Sequence, residues 1–323
     1  MKIVLQSTAL TSYPNFASDL QNEFREANIV LSNPDTLHTD IQDADAVFGV
    51  PDPDVLLEAK RLKWIACPAI GVNFLMNRPD IINSDVVLTN SRYPGNEPHA
   101  EPLADHVIGM MLILAHRWPD LLSDQRAHRW GLDQYHGSFK EINGRTMGIL
   151  AVGAIGSAVA RRAAAFGMRV YAVDKKLTPV PEGVQEVWGP DKLDDLLRVS
   201  DWLVIAPPLT HETAGLINRR RLKLMKKGSN LLVISRGGIV DEEALVEALK
   251  SEHLAGAGLD VFAQEPLPQD SPFWDLKNVL ITPHTAHVTP EMPINHLGVF
   301  QENLRRFLTG KPFLYTCDKQ AGY

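Results

Sequence analysis

Short, near-continuously apolar runs alternate with helix-period segments along the whole chain, and that alternation is what most limits its fold. KIVLQS (Lys2–Ser7), DAVFGV (Asp45–Val50), WIACPA (Trp64–Ala69) and VVLTN (Val86–Asn90) form a first series. TMGILAV (Thr146–Val152), MRVYAVD (Met168–Asp174), DWLVIAPP (Asp201–Pro208), NLLVISR (Asn230–Arg236), AGAGLDVF (Ala255–Phe262) and VLITPH (Val279–His284) form a second. A strand that is apolar on both faces must be covered on both, which calls for a parallel sheet with crossover helices. Two such series predict an α/β chain of two doubly wound domains with parallel sheets, Rossmann- or flavodoxin-like. The length of 323 residues suits two domains.

Between the series, Leu103, Val107, Met110, Met111, Leu114 and Trp118 recur at helical spacing, which predicts a helix over Ala100–Trp118. Pro119–Asn143 reads as polar and irregular, with Trp130, Tyr135 and Phe139 as apolar anchors. A last helical pattern, Ile294–Leu308, precedes an apolar tail, KPFLY, expected to pack on the first domain. The formal charge of −7 and the lack of a dominant basic run make nucleic acid and an anionic membrane surface poor partners. No apolar stretch reaches the roughly 18 to 20 residues of a membrane span, and MKIVLQSTAL is too short to read as a signal peptide. Two cysteines, Cys67 and Cys317, make no disulfide framework and fit a reducing, cytoplasmic setting.

AVGAIG (Ala151–Gly156) comes directly after one predicted strand and opens the helical stretch Ala154–Phe166. It is a dinucleotide fingerprint with Ala in place of the first Gly. Gly153 lets backbone approach a pyrophosphate, Ala154 and Ile155 begin the helix whose N-terminus favours phosphate, and Gly156 lets helix and strand pack closely. The next strand ends at Asp174, where a carboxylate can bond an adenosine ribose and repel a 2′-phosphate, favouring NAD. Lys175 and Lys176 soften that preference and leave NADP possible, or simply make a solvated turn. The bland alternative for the whole unit is a βαβ crossover without ligand. Arg236, Glu265 and His284 fall at or just past later strand ends, the edge where open α/β sheets bind ligands. Singly, each is a structural or solvated residue; together they put a cation, an anion and an acid/base group on the cofactor's edge.

SRGGIVDEEALVEAL (Ser235–Leu249), GLDVFAQEPLP (Gly258–Pro268), NVLITPHTA (Asn278–Ala286), IAPPLTHETAGLIN (Ile205–Asn218) and PAIGVN (Pro68–Asn73) give the chain a resemblance to the D-isomer-specific 2-hydroxyacid dehydrogenases. The resemblance implies a substrate domain, residues 1–98, completed by 287–323, and an NAD-binding domain, residues 99–286. It implies NAD(P)H-dependent reduction of a small 2-oxo acid, such as glyoxylate or hydroxypyruvate, to the D-2-hydroxy acid. Arg236 would hold the substrate carboxylate with a bidentate guanidinium, and His284 would give its proton to the carbonyl oxygen. Glu265 would orient the imidazole and favour its protonated form. Asp260 would stand beside the nicotinamide and Pro207 along the cofactor, while Ile70 and Gly71 would turn backbone amides towards the carboxylate. Relatives pair through the helix and arm that come after residue 100, which implies a homodimer joined through the cofactor domain.

Ala151 and Ala154 depart from that pattern, and fewer phosphate contacts are expected. His284 and His287 (HTAH) offer a two-histidine metal pair, but without a third acid ligand nearby no metal is expected. His99, His106 and His116 read as capping, packing or solvated residues, and Cys67 as an inert buried thiol. A nucleotide-sensing, co-repressor-like interaction protein is the competing function. A methyltransferase on the same fold has no use for Arg236, Glu265 and His284, and a formate-oxidising relative would carry Gln where Glu265 stands.

Overall fold

The computed structural model describes residues 1–10, 13, 15–75, 77–92, 100–176 and 179–320, apart from the side chains of 292–294. His99 lies outside them. The chain divides into two compact units, Met1–Pro98 with Thr289–Tyr323, and His99–Val288.

The first unit is a five-stranded parallel sheet of β1 (Lys2–Gln6), β2 (Asn28–Ser32), β3 (Ala46–Phe48), β4 (Trp64–Ala66) and β5 (Val87–Thr89), in the order β2-β1-β3-β4-β5. Alternate residues of each strand feed opposite cores: Val4, Val47, Ile65 and Leu88 on one face, and Ile3, Leu5, Phe48 and Trp64 on the other. The C-terminal helix, Glu291–Leu308, belongs to this unit. It stacks Phe300 on Trp64 with centroids 5.3 Å apart, and Phe313 of the tail packs on the same indole at 4.8 Å. Beyond it, Thr316 pairs antiparallel with Thr89 and the Cys317 amide donates to Leu88 O at 2.8 Å.

The second unit holds β6 (Thr146–Leu150), β7 (Arg169–Val173), β8 (Glu186–Trp188), β9 (Trp202–Ile205), β10 (Ser229–Val233), β11 (Leu254–Leu259) and β12 (Val279–Ile281). All pair in parallel, in the order β12-β11-β10-β9-β6-β7-β8. The α/β class with two doubly wound parallel sheets is therefore as the sequence predicts. The strand order reverses at β6, the place where such sheets bind ligands at their carboxyl ends.

Two strands, β2 and β8, fall outside the runs singled out in the sequence. Both are edge strands and only partly buried; β8 has just three residues, EVW, whereas β2 does carry a short apolar run, Ile29–Leu31. The stretch expected to be irregular contains a helix, Trp118–Arg126, set off from the helix Ala100–Ala115 by Arg117 in the left-handed region (φ 53°), and a short 3₁₀ turn, Leu132–Tyr135. Pro119 suits the first turn of that helix, where no amide is needed. Tyr135 is buried and anchors, its hydroxyl donating to Asp124 at 2.7 Å. Trp130 does not anchor: it is 94% exposed. The strands also stop sooner than their apolar runs suggest, so Arg236 and His284 stand in loops three residues past β10 and β12.

Candidate active site

Register brings the site residues together. Ile281, Leu259, Val233, Ile205, Leu150, Val173 and Trp188 lie side by side across the seven strands, each the last residue of its strand. The segments that leave these strand ends therefore emerge on one edge: His284, Asp260 and Glu265, Arg236, Pro207, the Ala151–Gly156 loop and Asp174.

At the β6 end, Gly153 caps the helix Ala154–Ala165 with extended backbone. A Cβ on Gly153 would meet nothing within 4 Å, whereas one on Gly156 would lie 2.1 Å from Ala151 O. The loop is thus open towards a ligand at Gly153 and closed against its own strand at Gly156. The first-turn amides of Ala154 and Ile155 have no partner within the helix, and they point along a dipole that favours an anion. Ala151 takes the left-handed conformation (φ 69°) that a glycine would adopt without strain, so the turn does accept its Cβ. Asp174 is half-buried and already engaged: Oδ2 accepts from Val152 N and Oδ1 from Lys176 N, each at 2.8 Å. It holds the glycine loop and still has lone pairs for a ribose. Lys175 pairs with Glu212.

At the other end, His284 Nδ1 lies 2.7 Å from Glu265 Oε2. A carboxylate only accepts, so Nδ1 carries the hydrogen and Nε2 is the nitrogen left for chemistry. The pair is about one-third exposed, 34% and 36%, so substrate can reach it. Glu265 is itself oriented, its Oε1 accepting from Phe262 N at 2.9 Å. The next amide, Ala263 N, donates to Glu242 at 2.6 Å. Burial, with Glu265 close by, holds the Glu242 carboxyl above the usual carboxylate range. Gly237 lets the Arg236 loop lie directly on this segment, because a Cβ there would fall 1.8 Å from the Phe262 carbonyl carbon. Arg236 is half-buried; burial lowers its pKa and Glu265 opposes that shift.

Asp260 does more than its sequence position suggests. It is 1% exposed, and its Oδ1 accepts from Thr282 Oγ1 at 2.5 Å and Thr285 N at 2.9 Å, while Oδ2 accepts from Ala286 N at 3.2 Å. Its carbonyl accepts from His284 N at 2.8 Å. These four bonds pin a turn in which His284 itself sits at φ 54°, a conformation costly for a residue with a Cβ and sustained only by such surroundings. His106, expected from sequence to pack or face solvent, joins this clamp. Its Nε2 lies 2.9 Å from Thr282 Oγ1, whose one hydrogen goes to Asp260, so His106 donates. No sequence signal ties residue 106 to residue 282; only the fold does.

Ser235, beside Arg236, is 7% exposed and its hydroxyl has no hydrogen-bond partner among the described residues. A buried unpaired hydroxyl is costly, and a ligand's polar edge would relieve it. With the open cradle at Gly153, this is how the residues present fit a dinucleotide. Ile70 and Gly71 lie in the first unit, in the turn after β4, where Ile70 O accepts from Asn90 Nδ2 at 2.8 Å. Cys67 and Cys317 are buried free thiols pushed up to about 11 and about 12 by burial. Among the described residues no cluster of three or more His, Cys, Asp or Glu side chains is disposed to hold a metal, and no helix is long and apolar enough to cross a membrane.

Residues 108–286 match a family described as D-isomer specific 2-hydroxyacid dehydrogenase, NAD binding domain. The chain is 35% identical to glyoxylate reductase of Korarchaeum cryptofilum, over 84% of this chain and 82% of that one. It is 33% identical to D-3-phosphoglycerate dehydrogenase of Mycobacterium bovis over 86% of its own length, but it spans about half (52%) of that longer protein. Its fold matches the D-isomer specific 2-hydroxyacid dehydrogenase of Xanthobacter autotrophicus Py2, solved with NADPH and MES. There the TM-score is 0.85 at 30% identity, with 99% of both chains covered.

Proposed function

This chain belongs to the D-isomer specific 2-hydroxyacid dehydrogenase family, and from that premise we propose that it reduces a small 2-oxo acid to the D-2-hydroxy acid. The observation that carries the reading is the single sheet edge on which the glycine loop, Arg236 and the His284–Glu265 pair all emerge. Gly153 and the amides of Ala154 and Ile155 would hold the cofactor's pyrophosphate, Asp174 its adenosine ribose, Pro207 its length, and Asp260 and Ser235 the nicotinamide end. Bound there, a reduced nicotinamide would supply the hydride that C2 of the substrate accepts.

Arg236 takes the carboxylate in two parallel bonds and draws electron density from the neighbouring carbonyl. As the C2–O π electrons move onto oxygen, the Nε2–H of a protonated His284 gives up its proton there. The hydroxyl forms and the imidazole is left neutral, to be reprotonated from water. Glu265 orients the ring and stabilises its charge before transfer. NADH is the better cofactor, since the Asp174 carboxylate meets a 2′-phosphate at close range, and NADPH is accepted.

The exposed apolar side chains Trp118, Leu122, Trp130 and Leu132 cluster in sequence just after the helix Ala100–Ala115, and they supply a pairing surface for a second copy. Sedimentation at micromolar concentration should show a homodimer; a monomer alone would remove this element. The setting is a reducing cytoplasm, where Cys67 and Cys317 stay thiols.

The direct test is a panel of glyoxylate, hydroxypyruvate, pyruvate and phosphohydroxypyruvate, assayed with NADH and NADPH by loss of reduced-nicotinamide absorbance. Turnover of at least one, faster with NADH, is expected. Cofactor binding without turnover of any would favour the sensing, co-repressor-like protein instead.

A further inference from the structure

We propose that His287 is the residue by which this site reads the third carbon of its substrate, taking a hydroxyl there and so preferring 3-hydroxy-2-oxo acids. This rests on the reduction of 2-oxo acids proposed above.

His287 stands edge-on to His284, ring centroids 5.5 Å apart and planes at 76°. Those two imidazoles are close enough to touch adjacent substituents of one small molecule. With Nδ1 of His284 committed to Glu265, its Nε2 addresses the oxygen on C2. With the oxygen on C2 assigned to His284 and the carboxylate to Arg236, C3 is the substituent left for the neighbouring ring. Unlike His284, His287 has no side-chain hydrogen bond to any described residue, so its half-buried ring keeps a donor and an acceptor unspent.

The charge state of the ring selects the partner. Burial, the adjacent His284 and Arg236 all push His287 towards the neutral form, and Asp260 pulls the other way. A neutral imidazole offers one N–H and one lone pair, the complement of a hydroxyl, which also has one of each to give. A methyl group would leave both ring nitrogens to whatever water remains, at the cost of their hydrogen bonds. A phosphate or second carboxylate on C3 calls for a cation, which this ring is poorly placed to become.

Hydroxypyruvate and pyruvate differ by that one hydroxyl, so their kcat/KM ratio reads the contact. Wild type should favour hydroxypyruvate by about tenfold or more, the worth of one well-made hydrogen bond. His287→Ala should bring the ratio to within about threefold of unity, chiefly through loss on hydroxypyruvate. His287→Gln, which restores a donor and an acceptor, should recover part of the preference, and it is the variant to read if Ala disturbs folding. Equal losses on both substrates would assign His287 to the carboxylate or the proton step and overturn the proposal, as would a ratio unmoved by either substitution. Preference for phosphohydroxypyruvate over hydroxypyruvate would overturn it too. A wild-type protein that binds NADH but reduces neither acid contradicts the underlying reading, and this inference falls with it.

Discussion

At the β6–β7 end of the seven-stranded edge, one half-buried carboxylate, Asp174, ties the glycine loop through two backbone amides. At the β10–β12 end, Asp260 is almost wholly buried and takes three donors from one turn, while Glu265 and Glu242 take the consecutive amides of Phe262 and Ala263. The device is the same, a carboxylate accepting from neighbouring backbone, but the depth differs. A binding loop has only to present amides to a pyrophosphate, and some give is harmless. If His284 is the proton donor proposed above, it must meet its oxygen to within a fraction of an ångström, and its turn is the one held by more bonds in a drier place.

That contrast can be broken by making one conservative change at each end. Asp260→Asn keeps the shape but places an NH₂ against at least one of the donors from Thr282, Thr285 and Ala286. Leaving a buried donor unpaired costs about 2 kcal/mol, which should lower Tm by roughly 4–8 °C in a unit of this size. Release of the His284 turn should cost turnover on the order of 10²-fold. Asp174→Asn should be the smaller perturbation, less than about 1 kcal/mol, because water reaches the half-buried site and fills the lost bond. Its effect should appear instead as a narrowed gap between NADH and NADPH in kcat/KM. Equal thermal losses from the two substitutions would show that depth is not what separates the two ends.

Much of this is legible in the sequence. Strands buried on both faces announce themselves as unbroken apolar runs, and the residues just past such runs are where an α/β sheet binds, which is how Arg236, Glu265 and His284 stand out. The edge strand Glu186–Trp188 does not, since it is three residues long, begins with Glu186 and is only partly buried. The clamp around His284 is hidden for a different reason. His106 and Thr282 are 176 residues apart in the chain, and the second function of Asp260 lies in bonds to a turn that no local pattern describes. Trp130 misleads because a large apolar side chain reads as a core residue whether or not anything covers it.

If His284 delivers the proton while the glycine loop independently holds the cofactor, one substitution should separate the two functions. His284→Ala, measured for NADH binding by fluorescence and for 2-oxo acid turnover on the same preparation, tests it most directly. The NADH Kd should stay within about twofold of wild type, because no loop contact is touched, while turnover should fall by roughly 10²–10⁴-fold, the usual loss of a general acid. Turnover at the wild-type rate with NADH still bound would contradict it.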